Sequence, residues 1–385
     1  MRVGIVITTS PNNGGTYYYS LKVLDALRDF GQGNEYAVFY DSPSFPVNDY
    51  ALPHWTLHYN VTQDGLGTKF ARFFSAVGLT VISPLARGRY RALLDWKPDL
   101  VICPSTTLAA WWCGLPFIVA IHDIWHRYKL PGVIRFDEPF RDLQWRQAAK
   151  SARIVLVESE LGKSEVVSNY GILERKIRIL PTGPASFIWR HDPNRHDEIR
   201  AKYKLPEYYV FYPGGYSPAK NQRRIIEALA ILHTEKELNI NAILPGPLNA
   251  YSAEISKLAD ELGIGHLVHI VGFVPDEDMS ILYRNALCLV MASYIGPTNM
   301  PIWEAFAAGC PVISSNVGGM PEQVGDTGLL FDPSDARQLA ERIERMYSDK
   351  NLRLTLIERG RLRIAPLSPE NWARTLLSAI KDAGE

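Results

Sequence analysis

Glu304 is the only charged residue in YIGPTNMPIWEAFAAGCPVISS, the 22-residue run from 294 to 315. Pro301 suits the first position of a helix that would continue through IWEAFAAG and stop at Gly309. Glu304 then lies one turn inside. That register does not fit a capping box, which wants its carboxylate at the third helical position. The residues a turn away on either side, Met300, Pro301, Ala307 and Ala308, offer no ion pair. With no local structural task, the carboxylate reads as an acceptor for a diol such as a ribose. The turn Gly296-Pro297-Thr298-Asn299, just ahead of Met300 and Pro301, would expose backbone N–H groups at a helix N-terminus, a cradle for a diphosphate.

Two further positions carry chemistry of the same kind. His122 and Asp123 close the apolar run PFIVAI, where α/β enzymes place reacting groups; a structural histidine with Asp123 capping the next helix would read the same way. With His126 the spacing is also similar to a zinc-binding HExxH helix, but the acidic residue is Asp, a strand precedes it and no third ligand is evident. Lys220 follows Gly214 and Gly215 at the entrance to the helical pattern NQRRIIEALAIL, where an ammonium adds a full charge to a helix-terminal anion site. A solvated surface lysine is the alternative. Asp276 and Asp278 have the spacing of a metal–diphosphate pair, yet acidic residues opening a helix are the ordinary electrostatic choice.

These residues need strand ends to hold them. About ten short apolar, β-branched runs alternate with helical patterns, from RVGIVIT, DLVICP and PFIVAIHD to LCLVMAS and CPVISS, which predicts an α/β protein with parallel sheets. Each of two series opens with a strand, a Gly-Gly loop and a helix: VGIVITTSPNNGGTYYYSLKVLDAL around Gly14 and Gly15, and YVFYPGGYSPAKNQRRIIEAL around Gly214 and Gly215. Tight turns alone would account for the glycines, and neither loop matches GxGxxG or GxxxxGK[ST]. A chain of 385 residues favours two domains. The polar segment FIWRHDPNRHDEIRAKYKLPEYY places their boundary within about 184–205.

Composition narrows the class. Hydrophobic residues make up 46% and charged residues 21%, with zero net charge, so disorder is excluded and a nucleic-acid partner disfavoured. Cys103, Cys113, Cys288 and Cys310 lie apart, implying neither a zinc site nor a disulfide framework. MRVGIVITTS reads as a first strand rather than a signal peptide, and no run is long enough to span a membrane. The expectation is a cytoplasmic protein.

In combination the motifs resemble glycosyltransferase family 4, retaining sugar transferases of the GT-B fold. The likeness covers nearly the whole chain and is densest from 205 to 335. PxxEAxAxGxPVI is met by Pro301 to Ile313, and GFVxDEDMxxLYRNA by 272–286. GGMPEQVGDTGLLFDP occupies 318–333, AIHDIWHR 120–127 and GGYSPAKN 214–221. The resemblance implies an α/β chain of two Rossmann-like domains whose parallel sheets face an interdomain cleft. An acceptor-binding domain would span 1–183 plus a C-terminal helix at about 366–385, with 184–205 as linker and 206–365 binding the nucleotide sugar. It implies a nucleotide-sugar donor, a saccharide or lipid-linked saccharide acceptor, no cofactor and no required metal.

Carried across position by position, His122 resembles the active-site histidine near the donor sugar, Lys220 the base that binds the donor diphosphate, and Glu304 the second glutamate of E-x7-E, which holds the ribose. Phe273 and Val274 resemble the base-recognition loop, and Gly14 and Gly15 the loop beside the phosphates and acceptor. Two positions depart from the pattern. Gly296 stands where the first glutamate is expected, and Gly215 where many members have arginine. Thr298, Asn299 and Arg223 or Arg224 are the substitutes the sequence offers, in a GPTNxP form similar to members of surface-polysaccharide pathways. The implied reaction is hexosyl transfer with retention, UDP-glucose ranking ahead of GDP-mannose as donor. The alternatives are a sugar-nucleotide 2-epimerase and a non-catalytic sugar-nucleotide sensor; the missing GxGxxG argues against a nicotinamide oxidoreductase. Residues 68–94, with five Arg and Lys among Phe70, Phe73 and Phe74, have the composition of a peripheral membrane element or of a plain helical hairpin.

Overall fold

The computed structural model describes residues 1–11, 14–60, 88, 90–128, 138–190 and 192–385. The proposed membrane element falls largely outside them. The chain divides into two compact units: one holds Met1–Tyr128, the described part of 135–182 and Leu367–Glu385, the other Gly183–Pro366.

In the first unit seven described strands pair in parallel in the order β3-β2-β1-β4-β5-β6-β7. These are β1 Arg2–Ile7, β2 Glu35–Tyr40, β3 Trp55–Tyr59, β4 Leu100–Cys103, β5 Phe117–Ala120, β6 Ile154–Val157 and β7 Ile177–Ile179. Helices cover both faces, so the central strands β4, β5 and β6 are apolar throughout rather than alternating. Val3, Ile5 and Ile7 of β1 join one cluster with Tyr19, Leu24 and Trp372, while Val6 joins the other with Phe39, Val101 and Val155. The sheet is thus a period-two divider between two cores.

The second unit repeats the plan with β8 Tyr209–Phe211, β9 Asn241–Pro245, β10 Val268–Gly272, β11 Cys288–Met291, β12 Val312–Ser315 and β13 Leu329–Phe331. The order is β10-β9-β8-β11-β12-β13, again parallel. Both sheets reverse strand order beside their first strand, between β1 and β4 and between β8 and β11. Loops at the carboxyl ends of those strands are where an open α/β sheet binds ligands. Among the described residues no helix is long and apolar enough to cross a membrane.

Residues 184–205, read above as a linker, group with the second unit. The helix His196–Lys202 and its flanks are fastened by Asp278, which is fully buried. Arg195 reaches Asp278 Oδ1 at 2.8 Å, and Lys202 and the Tyr203 hydroxyl donate to Oδ2 at 2.6 and 2.8 Å. Burial pushes the Asp278 carboxyl up, but these three donors outweigh it and hold it below the usual range. Asp278 therefore has a structural role.

Candidate active site

In the second unit the loops at the strand ends are knitted together by backbone hydrogen bonds. Tyr294 N donates to Ala219 O at 2.9 Å, Gly214 N to Pro245 O at 3.0 Å, Gly246 N to Gly272 O at 2.8 Å and Gly319 N to Gly296 O at 3.0 Å. Asn221, in the left-handed region at φ 59°, turns the chain into the helix Gln222–Lys236 and donates its amide to Ala292 O and Pro333 O at 3.0 and 2.9 Å. Lys220 closes the short 3-10 turn just ahead of that helix, its carbonyl held by the Tyr212 hydroxyl at 3.0 Å. Half-buried at a helix N-terminus, it can add charge to the exposed N–H groups there.

Gly214 has φ 148° and its conformation demands glycine. Gly215 does not, and a Cβ there would meet nothing within 4 Å. A glycine the fold does not need leaves room for a ligand against the backbone. Phe273, 76% exposed, stands on the rim beside Gly272 at φ 71°, with Val274 buried behind it. Arg223 and Arg224 both pair with Glu227, at 2.8 and 2.7 Å, and Arg224 also donates to Pro333 O at 3.0 Å. Their charge is partly spent inside the helix surface.

Glu304 lies in the helix Met300–Ala308, which Asn299 precedes and Gly309 ends at φ 74°. Its Oε2 accepts from the Tyr283 hydroxyl at 2.5 Å, and both residues are buried. Burial and the Glu304 charge keep that phenol well above its ordinary pKa, so it stays a donor. Tyr283 is thus a structural partner of the carboxylate from beyond its own helical turn. Upstream, Gly296 has φ 151°, and a Cβ there would lie 2.3 Å from Asn299 Nδ2. Gln323 fixes the Asn299 backbone through two hydrogen bonds of 2.8 Å, and Asn299 Nδ2 is buried without a protein acceptor. The turn carrying Pro297, Thr298, Met300 and Pro301 is therefore built around a glycine at 296, and a glutamate would not fit its backbone.

The first unit brings a different set together. Continuing the β5–β6 register, in which Ala120 pairs with Leu156, sets His122 opposite Glu158. His122 Nδ1 is 2.6 Å from Glu158 Oε1, and Nε2 is 2.8 Å from the Pro104 carbonyl oxygen. Tyr19 packs edge-on against the imidazole, centroids 4.7 Å apart. Burial alone would lower the His122 pKa; the hydrogen bond and charge of Glu158, with the Pro104 carbonyl, raise it. Burial pushes the Asp123 carboxyl up to about 6, against the Trp125 N–H and the neighbouring His122. Asp123 accepts from Trp125 N at 3.1 Å, and His126 is spent on Asp142 at 3.2 Å. Nearby, Gly14 at φ 55° starts the helix Gly15–Phe30, and a Cβ on Gly15 would meet nothing within 4 Å. No group of three or more His, Cys, Asp or Glu able to hold a metal occurs among the described residues.

The structure thus gathers Lys220, Gly214, Gly215, Phe273, Val274, 296–301 and Glu304 on the second unit, and Gly14, Gly15 and His122 on the first. Glu158 and Tyr283 were not anticipated from the sequence. Glu158 was signalled by its own strand end, ARIVLVES, matching the end of PFIVAIHD that carries His122.

Two doubly wound parallel units are the architecture of a GT-B protein, and solved structures agree. Anabaena HepE in complex with UDP superposes with a TM-score of 0.75, covering 99% of this chain and 100% of that one at 18% identity. Residues 14–184 match the model for Glycosyltransferase Family 4 and residues 195–363 that for Glycosyl transferases group 1, so the chain belongs to glycosyltransferase family 4. O-antigen chain mannosyltransferase B of Escherichia coli is 28% identical over 236 residues, 61% of this chain and 62% of that protein. A D-inositol 3-phosphate glycosyltransferase of Streptomyces avermitilis is 29% identical over 256 residues, 63% and 54% respectively. The chain spans less than two thirds of the length of both relatives.

Proposed function

We propose that this protein transfers a hexose from a nucleotide-diphosphate sugar to a hydroxyl of a saccharide or lipid-linked saccharide, with retention at the anomeric carbon, in surface-polysaccharide assembly. The observation that carries the reading is the knitted rim at the β8–β11 switch point, where Lys220 at one helix N-terminus and Glu304 inside the next serve one anion-and-diol ligand. Glu304 accepts from the ribose hydroxyls. Lys220, Gly214, Gly215 and the 296–299 turn hold the diphosphate. The bond from the anomeric carbon to the diphosphate oxygen breaks, the acceptor oxygen bonds to the same face, and the acceptor proton passes to the departing phosphate oxygen. A covalent route needs a carboxylate nucleophile, whereas the buried carboxylates among the described residues, Glu158, Asp278 and Glu304, are engaged by His122, by Arg195, Lys202 and Tyr203, and by Tyr283, and the half-buried Asp123 accepts from Trp125 N. That supports same-face attack. The sequence ranks UDP-glucose first as donor. GDP-mannose comes next, and mannosyl transfer is what the name of one relative, O-antigen chain mannosyltransferase B, gives.

Thermal unfolding with UDP, GDP, dTDP and ADP tests the site, since a ligand at 100 times its dissociation constant adds about 2.7 kcal/mol. Stabilisation by none of them would overturn the reading, and binding without donor turnover would make the protein a sensor. Charge grows on the leaving phosphate as the bond breaks, so Lys220 gains more in the transition state than with bound donor. Lys220→Ala should lower kcat at least about 100-fold, roughly 2.7 kcal/mol, with arginine restoring part. A near-normal kcat would move the phosphate site elsewhere.

A further inference from the structure

Gln323, in the short helix Met320–Val324, spends both ends of its side-chain amide on the backbone of one residue. Its Oε1 accepts from Asn299 N and its Nε2 donates to Asn299 O, each at 2.8 Å, and Gln323 is 2% exposed. Asn299 is extended at φ −126° and ψ 119°, so its N–H and C=O point to one side and the amide pairs with them as a neighbouring strand would. Only a group that is donor and acceptor at once can do this. The chain carrying Gln323 is itself fixed. Gln323 N donates to Gly319 O at 2.9 Å, Gly319 N to Gly296 O at 3.0 Å, and Arg363 Nε to Gln323 O at 3.0 Å. A Cβ on Gly318 would lie 2.6 Å from Gly296 O, and one on Gly319 1.6 Å from Pro297 O. Residues 296–299 and 318–323 are thus packed backbone against backbone, at a distance only glycine permits.

That packing decides which N–H groups of the turn can meet an anion. Pro297 and Pro301 have none. The Asn299 N–H belongs to Gln323, and the Ile302 N–H closes on Asn299 O at 3.1 Å. Met300 N, at the first position of the helix Met300–Ala308, has no acceptor among the described residues. It shares a planar trans peptide with the Asn299 C=O, so the two bonds that carbonyl accepts, from Gln323 and Ile302, turn the Met300 N–H the opposite way, out of the helix end. Asn299 Nδ2, against Gly296 inside the same turn, is a second donor that is buried without a protein acceptor.

We propose that Gln323 is a positioning residue for the donor diphosphate: acting through the Asn299–Met300 peptide, it aims the Met300 N–H at a phosphate oxygen and holds it there before ligand arrives. This role rests on the hexosyl-transfer reading, in which the turn at 296–299 holds the diphosphate, and it involves groups of the second unit alone. An N–H already fixed at a helix N-terminus gives an anion more than one that must be turned and ordered on binding.

The test is calorimetric titration of the full chain with UDP, GDP, dTDP and ADP, each beside its nucleoside, in wild type, Gln323→Met and Gln323→Glu. Methionine keeps the length and loses both hydrogen bonds. In Gln323→Met the diphosphate that the wild type binds should bind at least about tenfold more weakly, as a hydrogen bond to a charged group is lost. Its nucleoside should change less than about threefold, because the base and ribose contacts lie apart from the turn. A protonated glutamate offers the donor and acceptor of glutamine, whereas an ionised one cannot donate. Burial holds that carboxyl above its ordinary range, so Gln323→Glu should bind diphosphate within about threefold of wild type at about pH 5 and as weakly as Gln323→Met at about pH 8, each compared with wild type at the same pH. The glutamate variant also decides the matter where Gln323→Met does not fold. An unmoved diphosphate affinity in Gln323→Met, or a nucleoside affinity that falls as far, overturns the positioning role however much stability is lost. So does a glutamate variant whose affinity relative to wild type ignores pH. A wild type that binds none of the four diphosphates overturns the hexosyl-transfer reading, and the role of Gln323 falls with it.

Discussion

Tyr283 and Glu304 show how one buried hydrogen bond prepares a binding group. The phenol occupies one side of the carboxylate at 2.5 Å and fixes its plane, so the acceptor capacity meant for a ribose is preorganised before ligand arrives. Glu304→Gln keeps the size and loses an acceptor. It should weaken nucleoside-diphosphate binding about tenfold, or about 1.4 kcal/mol, and abolish the preference of the wild type for ribose over 2′-deoxyribose nucleotides in calorimetry. Equal discrimination in both proteins would sink the ribose role. Tyr283→Phe keeps the charge and should weaken binding less than Glu304→Gln, while removing about 2 kcal/mol of stability through loss of a buried donor to a charged group.

At the scale of elements, Asp278 decides where the second unit begins. Asp278→Asn should cost about 2 kcal/mol, and no more, because Arg195 and Lys202 remain 29% and 47% exposed and can turn to water. The pH dependence has a definite sign. A carboxyl held below its ordinary pKa contributes stability above the unfolded value of about 4 and loses it as pH falls through the lower folded value. The gap between wild type and Asp278→Asn in urea unfolding should therefore close between about pH 5 and the acid limit; a constant gap would refute the assignment. The same segment marks the limit of legibility. RHDPNRHDEIRAKYK looks like a connection because two of its cations, Arg195 and Lys202, find a partner in Asp278, at least 76 residues further on. Apolar strands such as IVLV and CLVM were readable, because both faces of a parallel sheet are covered. β2 and β3 were missed: EYAVFY begins with a charge, and WTLHY is an edge strand with Thr56 and His58 interrupting its apolar run. β13, only three residues long, was missed too. At the site, Lys220 stood out by following the Gly214-Gly215 loop at a helix entrance, and Glu304 as the one charge in an otherwise uncharged run. Glu158 and Tyr283 did not, since the pairings that give them meaning lie 36 and 21 residues apart.

The first unit is not closed by the chain that begins it. The polypeptide leaves after Thr182 and returns at Leu367, and the helix Pro369–Gly384 fills one face of the seven-stranded sheet. Trp372 is 1% exposed there. Its indole N–H donates to Pro181 O at 2.7 Å, and Lys22 sits 4.9 Å over the ring while donating to Thr182 O at 2.9 Å. Tyr19 lies edge-on to Trp372 at 5.7 Å and edge-on to His122 at 4.7 Å. A single aromatic row thus joins the returning helix to the imidazole. Trp372→Ala should destabilise the first unit by about 3–5 kcal/mol through lost transfer energy and the cavity left behind. Trp372→Phe keeps most of the ring and removes only the donor, so it should cost about 1 kcal/mol for the Pro181 carbonyl it strands. If the row positions His122, the His122 imidazole signal should shift in Trp372→Ala under native conditions and stay near its wild-type place in Trp372→Phe. An unshifted signal in the alanine variant would confine Trp372 to packing and leave Glu158 and Pro104 as the groups that orient the ring.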